Sequence, residues 1–596
     1  MIALIPARIP LIQNYVETYS KRRLKVPNPS KSKKNKSLLF RILLCCIIFT
    51  LLIVGGWESR RFFPYPTFFA RLGIENWQVW EFHDYFQLDP EALIVVMNNQ
   101  RLRDLEAPPI MYEGDIFFPA SFVREYIDPF MFWDESAQTL FVSTDMEVTG
   151  LAGQDVMKQG IPMVSMAFVQ NRYDNFEIEY HEKFNIIIIT ETPDPMSGHI
   201  PLFNTVITTR RTPIRYRPDR TAYITQRAVR GMPLIIFNSD FYSKGDFIRV
   251  RTPEGLLGYV LTADLEISEI LDKTLTSSSP EPAPSPNINL TWEMITAPQG
   301  NVTAMATPLP KGLHVISPTW FYFDPETLEI LSFASHDYVE WAHNQEVAVW
   351  PRLFDTNHDI SHRVLTQFEV RKQTIARLIA LIEEYGLDGI NVNFEHIPRA
   401  DGYYYVQFLR ELAPEMRRIG AVLSVATFVP APWFEQYNHE LVGRTVDFVA
   451  IMTYDEHYRG SPEPGPVASL PFVERSIQNA LALIPREKVI MCLPFYNRIW
   501  RVTPDGYHTI SNHGMARPWA LIEEWGVTPE WDPVIGSYYA SFTDEEGITY
   551  RIWVECERSI EEKLHIFTNH DLAGVASWRR GLETNGVWEI IDQAMS

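Results

Sequence analysis

Between Gly389 and Glu395 the chain alternates: Ile390, Val392 and Phe394 fall on one side, Asn391, Asn393 and Glu395 on the other. A parallel strand buried on both faces should be apolar on both. Three polar residues on one face, ending in an acid at the strand's C-terminal end, are unfavourable unless that end opens into a site. In a β/α barrel, active sites lie at that end of the strands. A carboxyl group there, preceded by two amides, has the makings of a general acid with hydrogen-bonding neighbours. The alternative is a buried polar ladder that only orders the barrel interior.

The elements around this stretch fit such a barrel. An amphipathic run from Thr366 to Tyr385 precedes it, with Val370, Ile375, Ile379 and Ile382 near helical spacing, and Gly386 stops the helix. From residue 288 onward strand and helix patterns alternate, the signature of a parallel α/β fold. Candidate strands are Asn289 to Ile295, His314 to Phe323, Val347 to Phe354, Gly389 to Glu395, Ala421 to Phe428, Phe448 to Tyr454, Lys488 to Phe495 and Gly574 to Trp578. Eight strands over this length predict a (β/α)8 TIM barrel spanning 288–596.

Residues 388–395 resemble the DxxDxDxE signature of glycoside hydrolase family 18, which holds chitinases and spore-cortex-lytic N-acetylglucosaminidases. Asp388 matches the first aspartate and Glu395 the catalytic acid, while Asn391 and Asn393 stand where the family usually has aspartates. Met452-Thr453-Tyr454-Asp455 is similar to the family's sixth-strand Met-x-Tyr-Asp. Leu493 to Trp500 resembles its seventh-strand Pro-Phe-Tyr-Gly-Arg-x-Trp with Asn497 for the glycine, and Gly574 to Trp578 resembles its last strand. The resemblance implies a retaining mechanism in which the substrate's own acetamido group is the nucleophile. It makes Glu395 the acid and then the base, Asn393 the group that orients the acetamido N–H, and Tyr454 the donor to its carbonyl oxygen. Asp388, Asn391, Met452, Asp455 and Tyr496 are implied as substrate-binding, and Trp578 as the floor under the sugar. Asparagine at 393 is a departure. A neutral amide still accepts from the acetamido N–H, but a charge-assisted bond is roughly twice as strong. The difference corresponds to ~1–2 kcal/mol, about tenfold in rate.

The rest of the chain suggests where such a barrel would work. A net charge of −21 over 596 residues offers no basic face for a nucleic acid. Residues 1–37 are the exception, with nine Lys or Arg against the single Glu17. Residues 38–57 are apolar, with no charge from Ile42 to Trp57, and long enough to cross ~30 Å of hydrocarbon. The positive flank predicts a cytoplasmic N-terminus and everything after the span outside a bacterial cell membrane. No small-x-small site follows to suggest cleavage. Of the four cysteines, Cys45 and Cys46 lie in the span and Cys492 and Cys556 lie far apart, so no disulfide framework or metal spacing is evident.

After a connecting segment, 58–91, an internal repeat fills 92–195. Gly114 to Val123 aligns with Gly160 to Val169 at an offset of 46, which also pairs Asp128 with Asp174, Phe130 with Phe176 and Leu140–Thr144 with Ile186–Thr190. Each copy reads as strand, short helix and two strands. The first copy resembles the small α+β stalk domain named after the N-terminus of copper amine oxidases. The name implies no copper here, since only His181 falls within the copies. Residues 204–268 alternate short strands and turns. Their closing Phe247 to Val260 resembles bacterial SH3-type domains, small β-barrels of which some contact cell-wall peptide. A Pro/Ser-rich linker, 269–287, separates these modules from the barrel.

The chain therefore reads as a multidomain, membrane-anchored protein without cofactor. The expected activity is cleavage of β-1,4 bonds next to N-acetylglucosamine, in peptidoglycan or a chitin-like glycan. A non-hydrolytic sugar-binding protein on the same barrel is the alternative. Trp519, Trp525 and Trp531, between Pro504 and Tyr538, are candidate sugar platforms or ordinary packing.

Overall fold

The computed structural model describes residues 92–98, 100–191, 203–237, 243–244, 246–269 and 287–595. The basic arm, the apolar segment 38–57, the connecting segment 58–91 and all but the ends of the linker lie outside the described residues. Among the described residues no helix is long and apolar enough to cross a membrane.

The C-terminal region is a closed parallel barrel. Its strands are β1 (Ile288–Glu293), β2 (Val315–Pro318), β3 in two pieces (Ala348–Val349 and Arg352–Phe354), β4 (Gly389–Asn393), β5 (Val422–Thr427), β6 (Phe448–Ile451), β7 (Val489–Pro494) and β8 (Gly574–Trp578). Each pairs in parallel with the next, and β8 closes onto β1 with Ile288 opposite Gly574. Pro351 explains the break in β3, because a proline has no N–H to give to a ladder. The first piece pairs with β2 and the second with β4, where Arg352 lies opposite Asn391.

Helix α1 (Phe368–Tyr385) feeds β4 and helix α2 (Gly402–Arg418) follows it. Gly386 ends α1 in the left-handed conformation (φ 64°), as an L side chain would not readily do. Gly389 is required by packing instead: a Cβ there would lie 2.5 Å from the Val422 carbonyl oxygen. Between β7 and β8 the chain inserts a five-stranded antiparallel sheet with the helix Arg517–Trp525. Trp519, Trp525 and Trp531 belong to this insert. Trp519 and Trp531 pack against Tyr538, and Trp525 stacks on Phe542. Ordinary packing accounts for all three.

The repeat region folds as two copies of strand, helix, strand and strand. Asp115–Pro119 of the first copy pairs antiparallel with Ile161–Ser165 of the second, so the two copies share one core. The repeat region also packs against the barrel. Asp134 enters a fully buried ion pair with Arg371 of α1 (2.6 Å, both side chains 0% exposed), and Arg410 of α2 donates to Ser143 and the Thr144 carbonyl. Residues 203–269 form a curled antiparallel sheet around Val206, Ile214, Leu234, Val250 and Val260.

Candidate active site

Strand β4 fixes the geometry. Ile390, Val392 and Phe394 are 0–1% exposed and point outward into the helices, where Phe394 stacks on Phe408. Asn391 and Asn393 consequently point into the barrel, and Glu395 emerges two residues beyond the strand, at the C-terminal mouth. The turn there is held by a buried carboxylate. Asp355 accepts from the backbone N–H of Glu395 (2.8 Å) and of His396 (2.7 Å), and also from the Ser361 hydroxyl. The Glu395 side chain remains 34% exposed.

Arg352, at the upper end of β3, ties the polar face together. Its Nη2 donates to Glu395 Oε1 at 2.9 Å and its Nε to Asn393 Oδ1 at 2.5 Å. Asn393 turns its own Nδ2 to the Ala426 carbonyl (3.2 Å). The guanidinium lies over the rings of Phe354 (4.8 Å) and Trp578 (5.3 Å). Burial pushes the Arg352 pKa below its ordinary value, and Glu395, Tyr454 and Asp355 offset this only in part.

Across the mouth, Tyr454 follows β6 and packs edge-on against Tyr496 (6.1 Å). No described residue accepts from the Tyr454 hydroxyl. Burial first, then the nearby Cys492, Tyr496, Asp455 and Glu395, raise its pKa well above that of a free tyrosine, so it stays a proton-bearing donor. Asp455 sits in the left-handed region (φ 62°) and accepts from the Tyr496 hydroxyl and from Arg498 Nη2 (2.7 Å). Arg498 also donates to the His457 carbonyl, which fixes the loop after β6. Trp578 closes the circle from β8. It tilts against Trp292 (5.7 Å) and borders the apolar cluster that holds Met452, Ala426, Ala450 and Cys492.

Glu395, Asn393, Tyr454, Asp455, Tyr496, Met452 and Trp578 thus surround one barrel mouth. Two sequence candidates do not. Asp388 precedes β4, at the opposite end of the barrel, seven residues and about 20 Å of extended chain from Glu395. There it accepts from the Val349 N–H (2.7 Å) and bonds His343 (2.8 Å), so it anchors the bottom of the barrel and cannot touch a ligand at the mouth. Asn391 has no exposed surface. It accepts from Trp292 Nε1 and donates to Ser424, one layer below Asn393, and its role is the interior ladder. Residues the sequence reading missed are Arg352, Asp355 and Arg498. A signal existed for Arg352, which is a lone charge inside the apolar stretch Val347 to Phe354. Among the described residues no three His, Cys, Asp or Glu side chains gather as a metal site would require.

Residues 355–583 match the family model described as Glycosyl hydrolases family 18. The chain is 26% identical over 280 residues to an uncharacterized glycosylase, YvbX, of Bacillus subtilis (strain 168), covering 44% of this chain and 79% of that protein. It is 25% identical over 241 residues to the cortical fragment-lytic enzyme of Bacillus anthracis, covering 39% of this chain and 55% of that enzyme, so the chain spans only about half of this relative. The crystal structure of the Bacillus megaterium QM B1551 spore cortex-lytic enzyme SleL superposes with a TM-score of 0.46 at 20% identity, covering 53% of this chain and 76% of that one.

Proposed function

Because the barrel is a glycosyl hydrolases family 18 domain, we propose that this chain hydrolyses β-1,4 bonds next to N-acetylglucosamine by a retaining, substrate-assisted mechanism. The observation that carries the reading is the pairing of a Glu395 carboxyl that is a third exposed with a Tyr454 hydroxyl that no described residue accepts from, both facing one mouth. In this reading protonated Glu395 gives its proton to the glycosidic oxygen. The C1–O bond breaks as the acetamido carbonyl oxygen bonds to C1, with Tyr454 donating to that oxygen and Asn393 receiving the acetamido N–H. The resulting Glu395 carboxylate takes a proton from a water molecule that attacks C1, which opens the ring and restores the acid. Trp578 and Met452 form the floor under the sugar, and Tyr496 with Arg498 holds Asp455 at its edge.

The substrate class we favour is peptidoglycan or its fragments, the polymer implied by a cortical fragment-lytic relative. The apolar segment 38–57 would anchor the enzyme with its barrel outside the membrane. The repeat region and the SH3-type module would place it near the wall.

One feature favours a second reading. Arg352 engages both Glu395 and Asn393, and its cation opposes the positive oxazolinium intermediate. A site so arranged suits a sugar-binding protein. The experiment that decides is digestion of purified peptidoglycan and chitin oligosaccharides by the full chain and by Glu395→Gln, with new reducing ends read by mass. Release by the parent and a loss of at least about 1,000-fold in the variant, with unchanged melting temperature, supports the hydrolase. Oligosaccharide binding with no release by either protein overturns it in favour of the lectin.

A further inference from the structure

The rim beside Glu395 carries two imidazoles that the reaction described above leaves unused. His396 follows Glu395 directly, and His358 opens the helix His358–Thr366, which comes after β3. Both rings are pinned. His396 holds Nδ1 3.1 Å from Asp355 Oδ1, and His358 holds its own Nδ1 2.7 Å from the His396 carbonyl oxygen. The two rings meet edge to face, with centroids 5.6 Å apart.

These partners fix which nitrogen of each ring bears a proton. A backbone carbonyl only accepts, so His358 Nδ1 is a donor. The Asp355 side chain is fully buried and accepts from the N–H groups of Glu395 and His396 and from the Ser361 hydroxyl. Its carboxylate likewise accepts from His396 Nδ1. A neutral imidazole with its proton on Nδ1 presents Nε2 as an acceptor. No described residue pairs with Nε2 of His396, whose side chain is 39% exposed. A surface histidine ordinarily turns freely, whereas a buried carboxylate orients this one. An acceptor fixed before its ligand arrives loses less freedom on binding.

Position in the barrel says which part of a glycan this acceptor would meet. The sugar attacked at C1 takes the Trp578 and Met452 floor, and Trp578 belongs to β8. In the ring of eight strands β4 stands opposite β8, and His396 and His358 follow β4 and β3. The sugar that departs with the oxygen protonated by Glu395 lies at the other end of the broken bond, away from the floor. Resting on the hydrolase reading, we propose that His396 binds this leaving sugar, accepting one of its hydroxyl groups through Nε2, and that His358 positions it. His396 thereby selects for a sugar on the leaving side of the bond.

The test compares two leaving groups in the full chain and in His396→Asn. The asparagine amide keeps a donor for Asp355 and lacks the reach of Nε2, so the turn at Glu395 is preserved. One substrate is a tetrasaccharide, of chitin or of peptidoglycan, whichever the parent cleaves; the other is a methylumbelliferyl glycoside, whose leaving group is no sugar. The variant should lose about tenfold in kcat/KM on the tetrasaccharide and stay within about twofold of the parent on the glycoside. Equal losses on both substrates would mean that His396 only shapes the turn, and no loss on either would mean that it touches nothing; both overturn the proposal. Should the parent leave either substrate uncleaved, the contact is read by calorimetric titration of Glu395→Gln, with and without His396→Asn, using the same tetrasaccharides. Binding weaker by about tenfold in the double variant supports the contact, and equal binding overturns it. Cleavage of neither substrate counts against the hydrolase reading alone.

Discussion

Arg371 and Arg352 are both barrel arginines that engage a carboxylate, yet they sit in opposite electrostatic situations. Arg371 is fully buried and satisfied: it donates to Asp134, to both oxygens of Glu411 and to the Leu365 carbonyl. Burial works against its charge, but Glu411 and Asp134 more than reverse this and hold its pKa above the ordinary value. Arg352 has one carboxylate, Glu395, which is itself a third exposed, and one neutral amide, Asn393. Its pKa stays below the ordinary value. A completed charge network at the domain junction therefore contrasts with an incompletely compensated cation at the mouth. The first arrangement suits a joint, the second a site whose partners exchange during use.

The largest effect should come from breaking the completed network. Asp134→Ala removes one of the two carboxylate partners of Arg371, the fully buried one, and the acceptor for the Ser136 and Ala137 N–H groups. Removing one member of a buried pair costs ~3–5 kcal/mol. Denaturant unfolding should show that loss, while kcat/KM of the folded fraction stays at the parent's value. A loss below about 1 kcal/mol would erase the distinction between the two arginines.

Arg352→Gln tests the other half. Stability should fall by ~1–2 kcal/mol, because Glu395 can turn to water but the buried Asn393 Oδ1 loses its donor. Activity should fall about tenfold as Glu395 and Asn393 lose a shared charged donor. A stability loss without a fall in activity would make Arg352 a packing residue only.

Asn393→Asp sharpens the comparison by giving Arg352 a second anion. The new carboxylate would strengthen the bond to Arg352 but set its other oxygen against the Ala426 carbonyl, where the amide now donates. We expect a stability loss of ~1–2 kcal/mol together with a gain in kcat of up to about tenfold from the added negative charge beside the oxazolinium. Changes of the same sign in both quantities would remove this account of the asparagine.

Much of this was legible in the chain because periodicity reports burial. The alternation in 389–395 and the eight apolar strand patterns follow from side chains facing helices or the barrel interior, and every predicted strand has its counterpart. The amphipathic helix ending at Gly386 follows from the same cause, with its start shifted to Phe368 because 358–366 forms a separate helix. Partnerships between distant residues were not legible. Nothing local to Asp134 announces Arg371, 237 positions away, and a lone Arg352 in an apolar strand gives no hint of whether it meets a carboxylate or solvent. Asp388 failed for a related reason. A linear motif lists residues along a strand that runs the full height of the barrel, so its first and last members lie at opposite ends.

That separation supplies the smallest predicted effect. Asp388 and Glu395 belong to one eight-residue stretch, and reading it as a single site would make both essential. At the bottom of the barrel Asp388 accepts from the Val349 N–H and faces His343, but its side chain is 39% exposed. Solvent screening limits such an interaction to ~1 kcal/mol or less. Asp388→Ala should therefore lower stability by about that amount and leave kcat, KM and the pH–rate profile unchanged, whereas Glu395→Gln should do the reverse. A large fall in kcat for Asp388→Ala without a stability loss would mean that the two ends of β4 are coupled, since direct contact with a sugar at the mouth is ruled out by the strand's length.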